Sequence, residues 1–119
     1  MVELLMYEYL LEHLPDPESP LVQVPVFMEI PEKPPVKFVV IEKTGSRKSN
    51  HVETAMITIQ SYAGSMYMAA RLNEAVKDAV EKSVETNVIS AAKLNSDYNY
   101  TNETQKRYRY QAVFEIAPL

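Results

Sequence analysis

The period of the apolar positions changes along the chain, and each change marks an element. From Val2 to Leu14, residues Leu4, Leu5, Tyr7, Leu11 and Leu14 recur at three- and four-residue spacings with Glu3, Glu8 and Glu12 between them, which predicts an amphipathic helix with a wide apolar stripe. Pro15, Pro17 and Pro20 end it, because each lacks a backbone donor and turns its predecessor away from helical geometry; the next ten residues read as a linker. Leu21 to Ile30 alternates imperfectly around Pro25, so Val24 to Glu29 reads as an edge strand. Pro31, Pro34 and Pro35 then make a stiff corner into Lys37 to Lys43, a β-branched strand that is expected to stop at Thr44-Gly45-Ser46.

After a loop through Arg47 to Asn50, the run His51 to Tyr62 returns antiparallel. Ala55, Ile57 and Ile59 share one face, and Thr54, Met56, Thr58 and Gln60 the other, so the sheet is expected to have a covered side and a wetter side on which a neighbouring subunit could pack. Gly64 and Ser65 mark a boundary, with Ser65 as N-cap of a helix from Met66 to Glu85 whose inner face is Ala69, Leu72, Val76, Ala79 or Val80, and Val84. Glu74, Lys77, Asp78 and Lys82 fall on its outer side, Asp78 and Lys82 at a spacing that favours a helical ion pair, and Met66 and Met68 read as core filling. Ala92 to Tyr100 and Arg107 to Ile116 both carry period-two patterning around the polar loop Thr101 to Lys106, an antiparallel hairpin.

The order is therefore α-β-β-β-α-β-β, an α+β fold in which two helices pack on a mostly antiparallel sheet of about five strands. A chain of 119 residues supports one core, so a single domain spanning 1–119 is expected.

Composition narrows the function classes. Apolar residues make up 46% and charged residues 24%, as in ordinary globular chains, so neither disorder nor a fibrous repeat is indicated. No apolar run approaches the roughly 20 residues of a membrane helix, and the three glutamates of the first segment do not suit a signal-peptide core, so neither a membrane partner nor secretion is expected. The absence of cysteine removes disulfides and thiolate metal sites and fits a cytosolic compartment. A net charge of −4 argues against general duplex binding, which rests on a basic face. The basic residues are nonetheless uneven, with Lys43, Arg47 and Lys48 at one loop and Lys106, Arg107 and Arg109 at another. Solvated hairpin ends and docking surfaces both account for that clustering.

Candidates for chemistry are few. His13 and His51 have no metal-ligand spacing; the first suits a helix C-terminus and the second a strand end. With only Gly45 and Gly64, no glycine-rich loop can wrap phosphates. Carboxylate pairs Glu29 with Glu32 and Glu42 with Glu53 are the nearest approach to an acid and base set or a divalent-ion site, and neither has a nucleophile beside it, so no enzyme, metal or cofactor is expected. Asn99-Tyr100-Thr101 and Asn102-Glu103-Thr104 match the glycosylation pattern, which has no meaning outside a secreted chain. Tyr98, Tyr100, Tyr108 and Tyr110 alternate on the last two strands and are expected to face one another across the ladder, as a stacking platform for single-stranded nucleic acid or as a protein interface; net acidity favours the protein.

Val24-Pro25-Val26 before the proline corner, Phe38-Val39-Val40-Ile41-Glu42-Lys43-Thr44-Gly45, Ile59-Gln60-Ser61-Tyr62-Ala63 leading into an alanine-bearing helix, and Arg107-Tyr108-Arg109-Tyr110-Gln111-Ala112-Val113-Phe114 come in an order and spacing that resembles the tail-terminator and tail-completion proteins of Firmicute-type siphophages, across nearly the whole chain. The resemblance implies a homo-oligomer, usually a hexameric ring, that caps the head-proximal end of the tail tube, stops its polymerisation and meets the head-completion proteins, with DNA only passing through the lumen. It places the protein in the tail-neck region of the virion and, during assembly, in the bacterial host cytoplasm. Docking residues on this reading are Arg47, Lys48, Lys106 and Arg107 on the loops Thr44 to Asn50 and Thr101 to Lys106, with the four tyrosines as further interface candidates. A head-completion or neck protein of the same virion region, and a single-strand-binding module built on the tyrosines, remain open alternatives.

Overall fold

The computed structural model describes residues 2–49, 52–102, 104–105 and 107–119. Helix α1 (Val2–His13) is followed by β1 (Pro15–Asp16), β2 (Ser19–Gln23), β3 (Val26–Phe27), β4 (Phe38–Ser49), β5 (Val52–Ala63), α2 (Met66–Lys82), a 3₁₀ turn (Ser83–Glu85), β6 (Ile89–Asn99) and β7 (Tyr108–Pro118). The fold is α+β. β1 and β2 form a small antiparallel pair, and the other strands make one sheet in the order β3-β4-β5-β7-β6, antiparallel except where β3 joins β4.

Both helices lie on one face of that sheet. Val39 and Ile41 of β4, Ala55, Ile57 and Ile59 of β5, and Ala112, Phe114 and Ile116 of β7 are buried there against Val2, Met6 and Leu10 of α1 and Ala69, Leu72, Val76, Ala79 and Val80 of α2. Period-two strands meet a helix with an apolar stripe, and each fully buried aliphatic side chain contributes about 1.5–3 kcal/mol. Ser65 caps α2 as the sequence predicts, its Oγ accepting from Met68 N at 3.2 Å. At the other side of that corner a Cβ on Gly64 would lie 3.2 Å from Cγ1 of Val36, an exposed side chain with room to shift.

Several expectations are corrected. The stripe of α1 is Val2, Met6 and Leu10, continued by Leu14, not Leu4 and Leu11, which are 39% and 40% exposed. The helix is apolar on more than one side, so tertiary packing, not periodicity, chose the buried one. The linker after it is the β1–β2 hairpin, pinned by Val24 N to Leu14 O at 2.9 Å and by Leu14 N to Gln23 Oε1 at 2.9 Å. The edge strand expected over Val24 to Glu29 shrinks to Val26–Phe27 and runs parallel to β4; Pro25, which has no N–H to give, supplies only its carbonyl, to Val39 N at 3.0 Å.

The loop expected from Thr44 to Asn50 is strand as far as Ser49. A bulge at Thr44 absorbs the irregularity, Thr44 Oγ1 lying 2.9 Å from Thr58 Oγ1, and pairing resumes with Gly45 opposite Met56 and Lys48 opposite Glu53. At its far end α2 tightens early: Ser83 is buried with its hydroxyl donating to Val80 O, Thr86 N and Oγ1 donate to Ser83 O, and Val84, expected in the core, is 42% exposed. Met66 and Met68 are half-buried, not core.

Ion pairs tie the outer pieces down. Arg71 of α2 holds Glu18 at 2.7 Å and Lys37 holds Asp16 at 2.8 Å, so the β1–β2 hairpin is fastened to the helix layer and to the proline corner. Tyr9 Oη donates to Ala79 O at 2.8 Å, joining α1 to α2; burial, then the Glu85 carboxylate, push the phenol up, so it remains a donor. On α2, Lys77 pairs with Glu74 and with Asp97 of β6, where Asp78 and Lys82 had been expected to pair. Hydrogen bonds to Glu74 and then Asp97 outweigh burial and hold the ammonium above its ordinary value.

Two consequences can be measured. Ser65→Ala removes the cap of α2 and is expected to cost about 1 kcal/mol in urea unfolding. Burial raises the Asp16 carboxyl, but hydrogen bonds from Lys37, Glu18 N and Ser19 N and the Lys37 charge together outweigh it, leaving the group below its ordinary value. A carboxyl depressed on folding lends stability above its unfolded value near 4 that is lost as pH falls through the folded value. The stability gap between the native chain and Asp16→Asn should therefore be constant from neutrality to about pH 5 and shrink below pH 4; a gap that does not change with acid would contradict the Lys37–Asp16 contact.

Candidate assembly surfaces

The face of the sheet that the helices leave open is neither bare nor uniformly polar. Phe38, Val40 and Tyr62 are buried on it beside Phe27. Phe38 stacks on Tyr62 with centroids 4.5 Å apart and planes 3° from parallel, and Phe27 meets Phe38 edge-on at 5.9 Å. Strand register explains the grouping, since Phe38, Tyr62 and Arg109 are successive neighbours across β4, β5 and β7, and Tyr100 N donates to Arg109 O at 2.9 Å to complete the row.

Arg109 organises this row. Its guanidinium lies 4.4 Å from the centroid of Tyr100 and 5.7 Å from that of Tyr62, while Nε donates to Tyr100 O at 2.7 Å and Nη1 donates to Tyr62 Oη at 2.9 Å. The network continues into the next row, where Tyr62 Oη donates to Gln60 Oε1, Gln60 Nε2 to Gln111 Oε1 and Gln111 Nε2 to the hydroxyl of Tyr98. Tyr98 and Tyr100 pack edge to face at 6.0 Å and stay 42% and 47% exposed. Arg107 adds a second guanidinium 6.0 Å from the Tyr62 ring.

The expected four-tyrosine ladder is not formed. Tyr98 is opposite Gln111, and Asn99 opposite Tyr110, so Tyr98 and Tyr100 share the open face while Tyr108 and Tyr110, one residue out of phase with Arg109 and Gln111, point to the helix side. Hairpin register, which depends on how the loop closes, was not readable from the alternation alone. The residues that hold the face together, Arg109, Tyr62, Gln60 and Gln111, were not among the sequence candidates; the signal for them was the even phase of β5, where Gln60 and Tyr62 follow Thr58.

The basic clusters also change character. Arg47 and Lys48 sit on β4, not in a loop, and Arg47 Nη2 reaches Glu115 Oε1 of β7 at 3.0 Å. Lys43 stands 3.9 Å from Glu3 of α1. Between β6 and β7, Asn102 and Arg107 exchange backbone hydrogen bonds at 3.1 and 3.0 Å and Gln105 N donates to Asn102 Oδ1. Lys106 and His51 lie outside the described residues. Antiparallel pairing puts the two clusters at opposite ends of one sheet: β7 begins beside Ala63, where β5 finishes, whereas Lys48 pairs with Glu53, where β5 begins.

Glu42 is opposite Thr58 and Glu53 opposite Lys48, so that carboxylate pair is not formed. His13 stacks on Tyr9 at 4.5 Å, its Nδ1 2.9 Å from Tyr9 O at the end of α1. Among the described residues no three His, Asp or Glu side chains gather as metal ligands, and no helix is long and apolar enough to cross a membrane. No family model and no curated protein matches the chain.

Arg109 acting as a single clamp predicts non-additivity. Arg109→Lys cannot stack on two rings while donating to both oxygens and is expected to lose about 1–2 kcal/mol, Tyr62→Phe about 1 kcal/mol, and the double variant less than their sum by at least about 0.5 kcal/mol. Strict additivity in urea unfolding would show that the two side chains act separately.

Proposed function

We propose that this protein is a structural assembly protein that closes the head-proximal end of a long-tailed phage tail tube as a ring, ends tube growth and offers its other side to the head-completion proteins. The observation that carries the reading is the position of the two basic hairpin ends, Arg47 with Lys48 and Arg107 with Arg109, at opposite ends of one stiff sheet. A terminator needs two unlike surfaces held a fixed distance apart, one matching the growing tube and the other not. Both ends are basic but their settings differ, Arg47 lying against Glu115 and Arg107 against the Tyr62 ring, and a ring built by a closing rotation presents each end as its own circle. The resemblance of the chain to tail-terminator and tail-completion proteins supports the same reading. Arg47 is then a docking residue of one circle and Arg107 of the other. With Tyr108 and Tyr110 on the other face from Tyr98 and Tyr100, the four-tyrosine platform on which the single-strand-binding reading rests is not formed.

The two ends are expected to fail separately. In a phage carrying the gene, Arg47→Glu and Arg107→Glu should each lower the yield of infectious particles at least about tenfold. One should give overlong tails and the other tails of normal length without heads, scored by electron microscopy. Deletion of the gene should give overlong tubes. Tails of normal length in the deletion would overturn termination and point to a neck protein; normal particles from both charge variants would overturn the assignment of the ends.

A further inference from the structure

The two flanks of the sheet are unfinished in complementary ways. At one, β3 covers β4 only at Val39 and Val40, which leaves the edge of β4 from Ile41 to Ser49 without a partner strand among the described residues. At the other, β6 pairs with β7, and among the described residues no strand joins its outer edge from Ile89 to Asn99. Exposed strand edges of this length invite another strand.

The helix layer above each edge is unfinished too. α2 stops short of covering β6 and leaves a notch of about 420 Å³ floored by Val80, Ala92, Leu94 and Phe114, with Leu94 41% exposed. Above the β4 flank, α1 presents Leu4 and Leu11, seven residues apart and so on one side of the helix. That side is turned from α2, because Tyr9, on the other flank of α1, reaches Ala79. One flank thus lacks a helix over an apolar strand, and the other carries a helix with an unused apolar side.

We infer that a second copy of this chain docks side by side, the β4 edge and the Leu4–Leu11 side of α1 of one copy against the β6 edge and the Leu94 notch of the next. Three features favour that occupant. β4 and β6 run in opposite directions, since each neighbouring pair between them is antiparallel, so two copies set side by side in the same orientation bring these edges together as an antiparallel ladder. Of the bulges that interrupt the edges, those at Thr44 and Asn95 fall at nearly one level of the sheet, beside Ile57 and Phe114, and the third, at Ser90, lies at the start of β6, so Ala91 to Leu94 and Ser96 to Asn99 are regular strand. The charges also match. Asp78 and Glu81 on the notch rim and Lys48 on β4 make no ion pair among the described residues, and α2, running back from Ala63, brings the two carboxylates to the end of the sheet where Lys48 lies. The contact is heterologous: each copy keeps one flank free for the next, and a closing rotation makes a ring. This deepens the proposed ring by naming its seam and rests on that reading only for closure.

The test is the solution mass of the full chain by light scattering. Wild type is expected to associate, and Leu11→Glu and Leu94→Glu, both at half-exposed positions that a folded monomer tolerates, should each weaken association at least about tenfold. Mixed together, the two variants retain one intact α1 flank and one intact β6 flank, so they should form a dimer and nothing larger. A wild-type oligomer that neither substitution disturbs would overturn the seam while leaving a ring possible. A wild-type chain that stays monomeric to millimolar concentration would overturn self-docking itself. Tail length in the gene deletion tests termination independently of either result.

Discussion

The fold depends on β5 having two unlike faces. Its odd positions Ala55, Ile57 and Ile59 are sealed under α1 and α2, while its even positions build the open face through Thr58, Gln60 and Tyr62. β4 and β7 flank it over most of its length, so their registers are locked to the same phase; a slip of one residue at either ladder would carry a buried isoleucine or phenylalanine into the polar network. The hydrophobic term fixes which face is covered, and the hydrogen-bonded ladder transmits that choice to every other strand.

On the open face the same phase assembles a different kind of order. Arg109 is held by one backbone carbonyl, one hydroxyl and two aromatic rings, and the amides of Gln60 and Gln111 extend the network to Tyr98. Such a network raises the cost of distortion, because each group left without its partner is penalised more than the pair gained. The result is a sheet whose ends hold fixed positions relative to one another, as the proposed assembly role requires.

The α2 helix, the β4–β5 and β6–β7 pairs and the inner face of β5 were legible because local pattern and tertiary environment agree there. Ser65 caps where it should, and Ala69, Leu72 and Val76 face the strands. The β1–β2 hairpin was hidden because its hold comes from distant groups: Lys37 on Asp16 and Arg71 on Glu18. Gly45 read as a strand end because a glycine after threonine suits a turn as well as a bulge, and only pairing with Met56 distinguishes them. On the open face, the alternation of Tyr98 and Tyr100 could be read from the sequence, whereas Arg109's partnership with Tyr62 joins residues 47 apart in sequence.

The amino-acid sequence by itself determined the class of fold, the two helices, the covered face of β5 and the net acidity with two basic clusters, since each follows from side-chain period, backbone chemistry and charge, which are local. Tertiary structure alone decided which side of α1 is buried, which tyrosines share a face and which strand edges are left open. Those outcomes depend on register and on competition between apolar surfaces for one core, and a linear pattern does not rank the competitors.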